Sequence, residues 1–410
     1  MKESFLLAIR ALVRGKALWL MLGAVALAHA VLPGLARSDG SAEAEAAMVV
    51  KIAFGAPFAI VLIGTLVAAA GIFPAERDAK RLQLTLVRPA GAFPLALGRW
   101  LALVVFAALA LVFSSALLWA RPGLDAGRSR IVSRPALESA QTVAERMIDG
   151  YLKSPDTPQV LKTMSRERVL SHLAALENER RIVLTPGSSV VLPFDPGLED
   201  AEAVQLKFTN IYGLYMDFRG RVDFAGRSAV FTNMTQRVLE VPLEGAGGKE
   251  AGDGLKILNL GEEPFVLRPR RDIALLTDGG PFAVNLLLAT VMAISMAAAL
   301  AALGLFLGSA LSRPVAVFAA VVILLASVMT PGIVASQPDR AKDLGAVKAG
   351  MAISRAVAST TGRLLAPSPA ESLSLRIRIP LGEVYGTVSV SLVLFPMAML
   401  TLTALALRRR

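Results

Sequence analysis

The stretch FAVNLLLATVMAISMAAALAALGLFLGSALSRPVAVFAAVVILLASVMTPGIVAS, residues 282–336, carries one charged side chain, Arg313. A hydrocarbon core about 30 Å thick is crossed by ~20 apolar residues in helical conformation, so the stretch holds two crossings. Pro314 cannot continue a helix and Arg313 belongs at a water interface, which divides it into 282–311 and 314–336 around a tight turn at LSRPV. The same length criterion applied outward finds four more uncharged runs, 17–36, 52–73, 101–120 and 384–407. All three tryptophans lie at run ends. Trp19 opens the first run, while Trp100 and Trp119 bracket the third about 28 Å apart at the helical rise, as an aromatic belt requires.

Composition agrees. Hydrophobic residues make up 54% of the chain and charged ones 18%, with a mean hydropathy of +0.58, far from a soluble average. The net charge of +11 invites a nucleic-acid reading, but its distribution excludes one. Residues 121–280 hold 21 basic and 22 acidic side chains, leaving 22 and 10 for the membrane-flanking remainder. No cysteine is present, which rules out disulfides, thiolate metal ligands and cysteine nucleophiles.

Short loops retain Lys and Arg on the cytoplasmic side. With both termini inside, Lys2, Arg10, Arg14, Lys16, Arg77, Lys80, Arg81, Arg88, Arg99, Arg313, Arg408, Arg409 and Arg410 are cytoplasmic, against Glu3, Glu76 and Asp78. The opposite orientation exports all of those cations. The expected location is therefore a bacterial inner membrane, crossed six times, with Trp19, Arg99, Trp100, Trp119, Arg313 and Arg408 to Arg410 at its interfaces. A secretory leader cut at Ala28-His29-Ala30 is the lesser reading of the start, because the apolar run continues past that site to Ala36.

On this topology residues 121–281 form an extracytoplasmic domain between spans three and four, long enough to fold independently. PALESAQTVAERMIDGYL and PQVLKTMSRERVLSHLAALENERR read as two helices, each opened by a proline. The period then changes to two. VQLKFTN places Val204, Leu206 and Phe208 on one face, and DFRGRVDF places Phe218, Val222 and Phe224 opposite Asp217, Arg219, Arg221 and Asp223. SSVVLPF, SAVFT, RVLEVPL, LKILNL and PFVLRP continue the series between turn residues. The fold class expected is a mainly α-helical polytopic membrane protein with six transmembrane helices and an extracytoplasmic α+β domain, a β-sandwich or jelly-roll on a helical stalk. The domains expected are 1–120, 121–281 and 282–410, the last with an outer loop at 339–383. In that loop LSLRIRIPLGEV alternates over too few residues to span, and is read as interfacial or docked on the outer domain.

Chemistry is sparse. GAGGKE at 245–250 lacks the first glycine and the hydroxyl of a phosphate-binding loop, and reads as a hairpin turn. His29 lies inside the first run with no carboxylate nearby and reads as a helix-packing residue; His172 lies on an exposed helix face. Glu199, Asp200, Glu202, Asp217 and Asp223 offer no pair facing across a cleft, as glycoside hydrolysis requires. Tyr212 and Tyr215 are the outer domain's candidates for stacking on a ligand. No metal site is expected.

The loop between spans two and three is different. ERDAKRLQLTLVRP begins with Glu76, Arg77, Asp78, Lys80 and Arg81, turns apolar at Leu82, Leu84, Leu86 and Val87, and ends at Arg88-Pro89. That order suits a short amphipathic element under the membrane with its charged end turned to a partner; a loop kept basic only for topology is the plain alternative. The segment resembles the coupling region of type-2 ABC transporter permeases, whose pattern runs E-R-E-x-G-T-L-E-L-L-L-S-R-P and then G-K nine residues later. Glu76, Arg77, Leu82, Leu84, Leu86, Arg88 and Pro89 fall on it without a gap, and Gly98-Arg99 stands at G-K. Lys80-Arg81 replaces the family's Gly-Thr. MKESFLLAIRALVRGK resembles that family's interfacial elbow helix, and IRIPLGEVYGTV with the terminal arginines its ending.

The resemblance covers the six-span frame and not the outer domain. It implies a non-catalytic permease subunit that exports or flips a substrate, with ATP and magnesium on a separate ATPase subunit. It also implies a second permease subunit, identical or not. Glu76, Arg77, Asp78, Lys80, Arg81, Leu82, Leu86, Arg88 and Pro89 would couple the ATPase to the spans, and an envelope partner or substrate would meet the outer domain. The reading from another class is an ATPase-linked mechanical or scaffold protein that moves its outer domain and transports nothing.

Overall fold

A computed structural model of the chain describes residues 2–14, 16–35, 42–80, 91–121, 128–155, 158–195, 198, 200–207, 209–210, 217–234, 238–243, 254–336 and 369–408. The chain divides into two compact units, a helical one comprising Met1–Arg128 and Pro281–Arg410, and a second comprising Ser129–Gly280.

The helical unit begins with α1 (Lys2–Arg14), which buries Ala8 and Leu12 and exposes Arg10 and Arg14. Residues four apart share a helix face, so this spacing sets an apolar face against the bundle and a basic one outward. α2 (Ala17–Val31) continues as a 3-10 turn, Leu32–Leu35. α3 (Ala42–Asp78) and α4 (Ala92–Trp119) follow. α3 starts ten residues before the uncharged run inside it, because charge ends a hydropathy run without ending a helix. It also carries Pro57 and Pro74 in its interior.

The second unit opens with β1 (Arg128–Ser133) and a helical arm of α5 (Ala140–Lys153), α6 (Gln159–Lys162) and α7 (Arg166–Asn178). The arm corrects the expected helix starts. α5 is capped by Ser139, whose side chain accepts from the Thr142 amide, and not by Pro135. The second expected helix is broken after Lys162 and restarts at Arg166. The strands are β2 (Ile182–Leu184), β3 (Ser189–Leu192), β4 (Ala203–Lys207), β5 (Thr209–Asn210), β6 (Asp217–Phe224), β7 (Arg227–Met234), β8 (Val238–Pro242), β9 (Leu255–Asn259) and β10 (Phe265–Leu267). A short α8 (Pro269–Asp272) leads into β11 (Ile273–Pro281).

These strands form three sheets, ordered β1-β11-β4-β8, β2-β10-β5 and β3-β9-β6-β7, and every pairing of known register is antiparallel. All three contribute to one apolar core, including Leu184, Leu206, Phe218, Val222, Ile257, Phe265 and Leu275. Phe218 and Phe265 meet edge to face at 5.5 Å, the arrangement that aligns ring edge with ring face. Ala225 and Gly226, with φ of 51° and 75°, close the β6–β7 hairpin; two left-handed residues match the twist of the strands they join. Gly220 lies opposite Phe231, and a Cβ there would sit 2.4 Å from the ring. Asn259, fully buried, ties sheets together by donating to the carbonyls of Leu184 and Glu263.

The chain returns to the helical unit through α9 (Phe282–Ala310), which starts with no residue between it and β11. α10 (Arg313–Ser336) and α11 (Pro369–Ser374) follow. The last helical stretch comprises α12 (Leu381–Val388), a π-helical segment at Ser389–Leu394 and α13 (Phe395–Arg408). Among the described residues five helices are long and apolar enough to cross a membrane: Leu18–Leu35, Ala47–Asp78, Ala92–Trp119, Phe282–Ala310 and Leu381–Arg408. The sixth expected crossing coincides with α10, of which Arg313–Leu325 is an apolar helix too short to count among them.

α9 is the bundle's central element, its length mostly buried. Between apolar helices close packing replaces the hydrophobic effect, and small residues permit it. Gly304 and Gly308 meet α3 so closely that added Cβ atoms would lie 2.6 Å from the Ala69 Cβ and 2.6 Å from the Ala70 carbonyl oxygen, respectively.

Candidate functional site

The charged end of the ERDAKRLQLTLVRP stretch is not a separate element. Glu76, Arg77 and Asp78 form the last turn of α3, and the helix stops where Lys80 takes a left-handed φ of 56°. Glycine adopts that conformation at no steric cost, whereas lysine does so against its Cβ. Arg81, Leu82, Leu86, Arg88 and Pro89 lie outside the described residues.

Four helices converge on this turn. Arg99, near the start of α4, reaches Glu76 with Nη2 to Oε1 at 2.6 Å, the two side chains being 5% and 20% exposed. Its Nη1 donates to the Ser4 carbonyl of α1 at 2.9 Å. Arg77 turns the other way and donates to the carbonyls of Ser309 at 3.0 Å and Leu311 at 3.5 Å. Those carbonyls belong to the end of α9, whose last turn lacks intrahelical donors and carries the negative end of its dipole, so a guanidinium there caps it. One residue beyond Arg99, Trp100 donates from its indole to the Ala298 carbonyl at 2.8 Å.

Trp100 is buried between helices at 8% exposure and Arg99 at 4%, held by the hydrogen bonds to Ala298 and Ser4. Trp19 and Trp119 remain outward-facing at 62% and 55% exposure. Arg313 and Arg408 are exposed at the first residue of α10 and the last of α13. Arg409, Arg410, Tyr212 and Tyr215 lie outside the described residues.

With Glu76 and Arg77 directed inward, Asp78 and Lys80 are the exposed charges of the turn. The sequence missed the junction's acceptors because four of them, on Ser4, Ala298, Ser309 and Leu311, are backbone carbonyls, which every residue carries. A second connection was also unmarked. Asn285, 1% exposed near the start of α9, donates to the Ile377 carbonyl and accepts from the Ile379 amide, both at 2.8 Å. It holds the LSLRIRIP segment within the helical unit, where Leu373 of α11 is fully buried. The left-handed Arg376, φ 54°, turns the chain out of α11.

His29 is buried and lies 2.9 Å from the Ser114 hydroxyl through Nε2, a helix-packing contact. Among the described residues no group of His, Asp and Glu has the arrangement of a metal site. Comparison with protein families, curated proteins and solved structures finds no match to this chain.

Proposed function

We propose that this chain is the permease subunit of an ATP-driven ABC exporter or flippase, working with a separate ATPase that holds ATP and magnesium and with a second permease subunit. The observation that carries the reading is the junction at the end of α3. One helical turn is tied through Glu76 and Arg99 to α1 and α4, and through Arg77 to the end of α9, while Asp78 and Lys80 face outward. A push on those two residues reaches four helices through charge-assisted hydrogen bonds, which are the stronger kind. Nucleotide-driven movement of the ATPase would thus bias the bundle between two states by differential contact energy. In this reading six spans cross a bacterial inner membrane, the junction is cytoplasmic, and the sheet-bearing unit is an extracytoplasmic sandwich that receives or hands over substrate.

On this proposal the charges of the junction have separate roles. Asp78→Ala with Lys80→Ala is expected to leave the protein folded and abolish stimulation of the copurified ATPase. Normal stimulation by that variant, or failure of any ATPase to copurify, overturns the proposal.

The mechanical reading draws on a different observation, the absence of any residue between β11 and α9. In that reading a displacement of α9 would pass along the chain to β11 with no intervening residue. Reconstitution separates the two: an exporter moves a lipid or glycan across vesicles on ATP hydrolysis, and a mechanical relay does not.

A further inference from the structure

The arm α5–α7 is packed apart from the sheets it accompanies. Ala144, Ile148, Val169 and Leu173 form its buried cluster, and none of them belongs to the core shared by the three sheets. Ionic contacts gather instead where α7 ends. Glu177 lies in its last turn and Glu179 is its C-cap, positions at which the helix dipole disfavours anions. Arginines of the segment between β10 and β11 answer them. Glu179 accepts from Arg268 at 3.1 Å and from Arg271 at 3.2 Å. Glu177 lies 3.7 Å from Arg270 and 3.5 Å from Arg180.

The arginine segment is braced within itself and held from the end of β1. Asp272, 3% exposed, takes Arg268 in a two-pronged contact at 2.9 and 3.1 Å and also accepts from its amide. Arg134, just after β1, donates to the carbonyls of Arg270 and Arg271 at 2.7 and 3.0 Å. Arg270 donates in turn to the Glu138 carbonyl, and the Glu138 carboxylate pairs with Arg146 on α5. The clasp therefore grips the arm at both ends, the root of α5 and the tip of α7.

We infer that the arm is a separately packed lever latched to the sheets by this arginine–carboxylate clasp, and that high salt or acid opens the latch while the sheets stay folded. Salt acts because the outer pairs face solvent: the Glu179 and Arg271 side chains are 51% and 61% exposed. Exposed pairs are individually weak and are screened once the Debye length shrinks, whereas an apolar sheet core is not. Acid acts through the carboxylates. The hydrogen bond from Arg268, seconded by Arg271, holds the Glu179 carboxyl below the usual range. A carboxylate with a depressed pKa contributes its stabilisation above the ordinary value and loses it as pH falls through the depressed one. The latch is thus closed at neutral pH and opens on acidification.

The chain has no cysteine, so Met147→Cys on α5 and Val230→Cys on β7 supply its only thiols; the native residues are 52% and 59% exposed. Spin labels there, on the full-length protein in lipid nanodiscs, report the arm-to-sheet distance by pulsed electron resonance. At pH ~7 and ~0.1 M salt one narrow distance population is expected. Raising salt to ~1 M, or lowering pH to about 3, is expected to add a second, broader one. Glu177→Gln with Glu179→Gln is expected to add it at neutral pH and low salt, with amide exchange in β4, β9 and β11 unchanged. An unaltered distance in the glutamine variant and at high salt overturns the inference. So does loss of exchange protection in the sheets together with the arm, because arm and sheets would then be one cooperative unit.

Discussion

Arg99 shows how a residue's type and its role part company. A guanidinium at the start of an apolar run is an interface marker by composition, yet this one is 5% exposed at its side chain and held by Glu76 and the Ser4 carbonyl. Breaking one side of a buried pair leaves the other charge uncompensated, which is more damaging than the net worth of the pair. Glu76→Ala is therefore expected to destabilise the protein by about 3 kcal/mol, whereas the exposed Asp78→Ala is expected to stay within about 0.5 kcal/mol. Thermal unfolding of the two variants in one detergent measures the difference, and equal melting temperatures contradict the pairing. The sequence brought Glu76, Arg77 and Arg99 to notice through their spacing and charge. It did not reveal which of them face inward, because their partners are 23 to 234 residues away along the chain and most are main-chain atoms.

Elements were legible wherever one period dominates. The apolar runs fall on α2 with its 3-10 turn, α3, α4, α9, α10 and the α12–α13 stretch, and the alternating segments correspond to β3, β4 and β6 to β10. β11 escaped because a central strand is covered on both faces: Ile273, Ala274, Leu275 and Leu276 are all buried, so no alternation remains to be read. β1, its neighbour in the sheet, has only Ile131 and Val132 as apolar signal in RSRIVS. The LSLRIRIP segment alternates without forming a strand: α11 ends two residues into it, and Asn285 fastens the rest to α9. This placement has a direct check in the absence of native cysteines. A Cβ on Gly55 of α3 would lie 3.5 Å from the Ala370 Cβ, within the range that disulfides span. Gly55→Cys with Ala370→Cys is expected to oxidise spontaneously. Maleimide-PEG should then add to neither thiol before reduction and to both after it; free labelling before reduction contradicts the docking of α11 on α3.

At the scale of the whole molecule, the two units follow from where apolar surface can be covered. The helical unit draws on both ends of the chain, and small residues let α3 and α9 approach closely at Gly304 and Gly308. The second unit closes its own core with three sheets contributed by Ser129–Gly280, so residues 129–280 are expected to fold when produced without the helices. Their boundary matters more than their length. β1 pairs with β11 at the edge of the first sheet, and Gly279 of β11 lies so close to the Ser129 carbonyl that an added Cβ would be 2.8 Å from its oxygen. A fragment starting at 135, near the first of the two helices readable in the sequence, loses β1 and bares the backbone donors and acceptors of β11. An unpaired edge of that kind, beside the apolar run Ile273–Leu276, is a template for association. The 129–280 fragment is expected to elute as a monomer with a cooperative melt, and the 135–280 fragment to aggregate or melt at least 5 °C lower, about 2 kcal/mol for a domain of this size. Identical behaviour of the two fragments would show that β1 is dispensable and that the unit begins at its helical arm.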